Sequence, residues 1–144
     1  MDLPLGTYER AEPIRDAVFS ALEEIAPPLM SYVFTNVLYD EPGDIALYER
    51  LKRVAGRRGS VSLPVLLTCE PEVQLHRVAA GERVRRNKVS DPEALRREME
   101  TTVLYTPPDS TLLTLDSTQL QPQQAASTIA EAIRQLDGPS CEAP

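Results

Sequence analysis

Seven of the 15 basic residues fall in one stretch: Arg77, Arg83, Arg85, Arg86, Lys88, Arg96 and Arg97. Glu82, Asp91 and Glu93 are the acids within it, so seven bases against three acids leave a local excess of +4. A guanidinium offers a planar fork that can meet two phosphate oxygens at once. Such a run suits capture of a phosphorylated ligand, even a simple polyphosphate held by the arginines alone. It reads equally as a solvated helix face with intrahelical ion pairs.

Two further groups carry polar chemistry. Thr35-Asn36 lies inside the apolar run SYVFTNVLY, with Asp40, Glu41 and Asp44 beyond it. Polar side chains at a strand end can bind a substrate or hold a metal-bound water; they can also close turns and cap the next helix. Asp116-Ser117-Thr118 follows the run TLLTL. As chemistry that signal is weak, because Asp-Ser-Thr is ordinary turn material and backbone capping accounts for it first.

Composition removes several classes. A net charge of −7 opposes general nucleic-acid binding, which needs a broad basic surface. One His and two distant cysteines, Cys69 and Cys141, fall short of the four N/S ligands that a structural zinc site needs. Cys69 ends an apolar run and reads as a buried free thiol; Cys141 lies in a Gly/Pro/Ser tail. Both Ser-His-Asp and Cys-His catalysis would depend on His76, which has no neighbour in sequence to orient it. No apolar run reaches the roughly 18 residues needed to span a bilayer, and Met1-Asp2-Leu3-Pro4 does not read as a signal peptide. The expectation is a cytoplasmic protein without membrane contact.

The elements that must position these residues alternate along 144 residues. Residues 1–11 read as a loose polar segment. From Pro13, the apolar stripe Ile14, Val18, Ala21, Leu22 and Ile25 predicts a helix that Pro27-Pro28 ends. Residues 31–39 predict a strand with apolar residues on both faces, as in a covered parallel sheet. A helix over Asp44–Arg57 follows, with Leu47, Leu51, Val54 and Ala55 on one face. Residues 63–69 predict a second strand leading through Glu70-Pro71-Glu72 into a helix with Leu75, Val78 and Ala79 inward. After a charged break over 81–90, Asp91 caps another helix with Pro92 at its first position. Thr111–Asp116 is the third strand, and Pro122 to about Leu136 the last helix. Residues 137–144 read as a disordered tail. The order α-β-α-β-α-α-β-α means an α/β parallel sheet, and such sheets bind ligands beyond the carboxyl ends of their strands.

The stretch PVLLTCEPEVQLHRV, the arginine-rich break and LLTLDSTQLQPQQAASTIAEAI together resemble the C-terminal half of P-loop small-molecule kinases, of the shikimate kinase, gluconate kinase and chloramphenicol phosphotransferase type. ERAEPIRDAVFSALEEI and SYVFTNVLYDEPGDIALYERL look more like a bacterial branch of AAA-type, ATP-binding proteins. The resemblance covers about residues 8 to 136 and implies a three-layer P-loop NTPase-like α/β domain over 12–136, with 77–97 as its lid. It implies ATP with Mg²⁺, and phosphoryl transfer to a small-molecule acceptor. Arg77 would pack on the adenine, and Asp116, Ser117 and Thr118 would line its pocket. Arg83 and Arg86, with Arg85 and Lys88 beside them, would reach the transferring phosphates as catalytic lid residues. Thr35, Asn36 and Asp44 would lie on the acceptor or metal side.

One departure weighs against that reading. A P-loop needs G-x-x-x-x-G-K-[ST], whose backbone N–H groups cradle the phosphates. None of Gly6, Gly43, Gly56, Gly59, Gly81 or Gly138 begins that pattern, and neither Lys52 nor Lys88 follows a glycine. Against the family order 2-3-1-4-5, the chain holds only strands 3, 4 and 5. The expectation is therefore an incomplete sheet from a reading frame shortened at its 5′ end, with catalysis impaired. The alternative is a non-catalytic interaction or regulatory remnant of that fold, a homodimer through exposed sheet edges.

Overall fold

The computed structural model describes residues 7–27, 29–79 and 91–137, with side chains from residue 11 onward. Among them are five helices and one two-stranded parallel sheet, broadly α/β: α1 Thr7–Glu24, α2 Pro42–Arg57, β1 Val65–Thr68, α3 Pro71–Ala79, α4 Pro92–Thr101, β2 Leu113–Asp116 and α5 Pro122–Asp137. The chain divides into two compact units, Met1–Ser62 and Leu63–Pro144.

The first unit is a helix pair. Phe19, Leu22 and Val54 are buried together, with Ala26, Leu47 and Leu51 packed against them. Two polar ties link the helices at the surface, Arg50 to Asp16 and Arg57 Nη1 to Glu23 Oε2 at 2.7 Å. Arg58 closes the end of α2 over the end of α1, donating to the carbonyls of Leu22, Ala26 (3.2 Å) and Pro27 (2.8 Å).

Three expectations for this unit need correction. First, α1 begins at Thr7, so Pro13 lies inside the helix and not in its first turn. Second, α1 is rolled away from its predicted stripe. Ile14, Val18 and Ile25 are 69%, 47% and 79% exposed, and Phe19 takes the buried position with Leu22. One helical residue is about 100° of rotation, and the face that meets α2 is the one carrying Phe19 and Leu22, packed with Val54, Leu47 and Leu51. Third, residues 31–38 form no strand; Val33 is 90% exposed. β-propensity registers what could pair, whereas a strand exists only with a ladder partner.

The second unit holds the sheet. Val65, Leu66, Leu67 and Thr68 pair in register with Leu113, Thr114, Leu115 and Asp116. No residue of either strand is buried. The core of this unit lies in the helices: Leu75 and Val78 of α3 pack on Leu95 of α4, with Met99 alongside. Ala79 faces out. Asp91 caps α4 as expected, its Oδ1 accepting from the Glu93 N–H at 3.0 Å, and Pro92 takes the first position. No described helix is long and apolar enough to cross a membrane.

Candidate functional site

The carboxyl ends of β1 and β2 emerge side by side because the strands are parallel and in register at Thr68 and Asp116. Ser117 continues the pairing by one step: its N–H and its Oγ each donate to the Thr68 carbonyl at 2.8 Å. The chain then turns on Asp116, whose Oδ1 accepts from the Thr118 N–H at 2.8 Å and from the Thr118 hydroxyl at 2.5 Å. Thr118 Oγ1 in turn accepts from the Glu70 N–H at 2.9 Å, tying the β2 turn to the start of α3.

Arg77, in the last turn of α3, reaches back onto this turn. Its Nη2 donates to the Ser117 carbonyl at 2.8 Å and to the Thr118 carbonyl at 3.0 Å; its Nη1 lies 3.4 Å from both Ser117 Oγ and Cys69 Sγ. A single nitrogen, Nη2, thus serves two neighbouring carbonyls, while Nη1 reaches the Ser117 and Cys69 side chains. The Asp116 carboxyl is held below its ordinary value, first by the Thr118 hydroxyl, then by the Thr118 N–H, with Arg77 adding a favourable charge. Cys69 is a half-buried free thiol, more open than expected.

Beside the turn lies an open cleft of about 380 Å³ lined by Glu70, Asp116, Thr118, Gln119, Leu120 and Gln124. Its walls offer carboxylate and amide acceptors around one aliphatic side chain. Glu70, Gln119, Leu120 and Gln124 carried no functional signal in the sequence. Their positions just after β1 and β2, at the carboxyl edge of a parallel sheet, were the cue that could have found them.

The four residues expected around a nucleotide base, Arg77, Asp116, Ser117 and Thr118, therefore come together in the second unit. Asp116 fills the turn-capping role, its carboxylate accepting from the Thr118 N–H and hydroxyl. Arg83 and Arg86, with Arg85 and Lys88, lie outside the described residues. Arg96 of the same basic run stands 3.8 Å from Glu72, an exposed ion pair between α4 and α3.

The acceptor-side residues belong to the first unit and do not cluster. Thr35 and Asn36 are exposed on the irregular segment after α1. Asp44 sits in the first turn of α2, where Oδ2 accepts from the Tyr39 N–H at 2.7 Å, a turn bond to the chain ahead of the helix; the cap position is Glu41, whose side chain makes no capping bond. Among the described residues no group of three or more His, Cys, Asp or Glu side chains is arranged to hold a metal ion.

No protein-family model matches the chain, and no match is found among curated proteins or among solved structures.

Proposed function

We propose that this protein binds a nucleotide in the manner of P-loop small-molecule kinases, seating the base of ATP in the cleft beside Arg77 and the 116–118 turn. The observation that carries the reading is the convergence of Arg77 on Ser117 and Thr118 at the carboxyl edge of a parallel strand pair. The cleft chemistry supports the base end of the ligand. Glu70 and Asp116 oppose a phosphate there, while carboxylate and amide oxygens can accept from an exocyclic amine. A triphosphate would run away from the Asp116 carboxylate. Phosphoryl transfer to a small-molecule acceptor belongs to the same proposal as its outer limit. The chain carries no Gly-Lys-Ser/Thr loop to position the phosphates.

Calorimetric titration with ATP–Mg²⁺ tests the reading. Saturable binding that Gln119→Ala and Arg77→Ala weaken, with tripolyphosphate failing to compete, supports it. Absence of heat at millimolar ATP refutes it, and equal affinity for tripolyphosphate returns the function to the arginine run alone.

A second reading, a non-catalytic interaction protein, is favoured by one observation: neither strand of the sheet buries a side chain. A covered parallel sheet is the rule for this architecture.

A further inference from the structure

The apolar stripe that the sequence marks most clearly on α1 is the one the fold leaves open. Ile14 is 69% exposed, Val18 47% and Ile25 79%; Ala21 between them is exposed, and Leu29, just past the helix, is 98% exposed. The residues lie 4, 3 and 4 apart, the spacing of a helix–helix seam. No charged residue falls on the stripe itself.

The spacing 4-3-4 reads the same in both directions. A two-fold axis across α1 therefore lays the stripe on itself in antiparallel order, Ile14 against Ile25 and Val18 against Ala21 of the second copy. The small side chain at 21 faces the larger one at 18, so the two middle layers can interlock without overpacking. Such self-matching under reversal is what an isologous interface requires. The exposed fractions of Ile14, Val18 and Ile25 leave roughly 400 Å² of apolar side chain per copy, or about 800 Å² for a pair, the size of a weak, transient contact.

From this self-complementary stripe we infer that the exposed face of α1 is the docking surface for a second copy of this chain, forming a weak antiparallel two-fold dimer. The inference draws on the first unit alone and stands whether or not the second unit binds a nucleotide.

Sedimentation of the full chain from about 2 to about 200 µM tests it. The expected result is a reversible monomer–dimer equilibrium with a dissociation constant on the order of tens of micromolar. Val18→Glu is expected to weaken association about tenfold or more with an unchanged helical circular dichroism spectrum. Ile25→Glu, at the exposed C-terminal end of the stripe, does the same and carries the test should Val18→Glu lose helix. Leu67→Glu, at a 55% exposed position on β1, leaves the dimer intact. A monomer throughout the range overturns the inference, as do open-ended oligomers. So does a dimer that Leu67→Glu disrupts and Val18→Glu spares, because the sheet would then be the contact.

Discussion

Replacing Arg77 by alanine removes the fork that joins α3 to the β2 turn. Two charge-assisted bonds disappear, at 2.8 and 3.0 Å, together with the longer contacts to Ser117 Oγ and Cys69 Sγ. A hydrogen bond from a charged donor contributes about 1.5 to 3 kcal/mol when sheltered, and this guanidinium is exposed, so about 0.5 to 1 kcal/mol per bond is the working figure. The two together give about 1 to 2 kcal/mol. For a cooperative unit of roughly 80 residues that lowers the unfolding midpoint by about 6 to 12 °C. Scanning calorimetry on the wild type, Arg77→Ala and Arg77→Lys measures it. Lysine keeps the charge, but its ammonium ends one bond short of Nη2 and has no second nitrogen for Ser117 Oγ and Cys69 Sγ, so it is expected to recover less than half of the loss. A midpoint for Arg77→Ala within about 1 °C of wild type, or full rescue by lysine, refutes the reasoning that the fork holds the turn.

Thr118→Val removes the largest influence that holds the Asp116 carboxyl low. Its titration midpoint, followed by carbon NMR, is expected to rise toward the ordinary carboxylate value. The sign of the linkage follows from a depressed folded pKa: the stabilisation is present above the unfolded value of 3.8 and disappears as pH falls through the folded one. The pH dependence of stability below about pH 4 should therefore flatten in the variant. In the first unit, Phe19 is 3% exposed, with Phe34 edge-on at 6.1 Å and Arg50 over its ring at 4.6 Å. Phe19→Ala is expected to cost about 3 to 5 kcal/mol in urea unfolding, whereas Ile14→Ala on the exposed stripe costs under about 1 kcal/mol.

Local signals were the legible ones. Asp91-Pro92 opened a helix, and Val65–Thr68 and Leu113–Asp116 formed strands, because proline, turn residues and short apolar runs act over a few positions. That Arg77 would lie by the Asp116–Thr118 turn, 40 positions on, followed from the resemblance and from no local signal. What depended on a distant partner was not legible. SYVFTNVL has every intrinsic reason to be a strand, yet residues 31–38 adopt no regular element, since the ladder that would pair them is set by tertiary context. The roll of α1 is of the same kind. Ile14, Val18 and Ile25 make the cleaner periodic stripe, but the face that buries Phe19 against Val54 of α2 is the one the fold uses. Pro13 misled by a simpler route. It is favoured in a first turn and so marked a helix start, whereas α1 had already begun at Thr7. At the site, Asp116 served as the turn's acceptor as its neighbours implied. Glu70 and Gln119 entered only once the two strand ends were seen to emerge together.

Amide NMR of the full chain titrated with ATP–Mg²⁺ addresses the nucleotide reading most directly, because it locates binding as well as detecting it. The account predicts saturating shifts at Glu70, Arg77, Ser117, Thr118 and Gln119, none of them produced by tripolyphosphate and all of them diminished by Gln119→Ala. A spectrum unmoved by millimolar ATP, or shifts confined to residues away from the 116–120 turn, would contradict it.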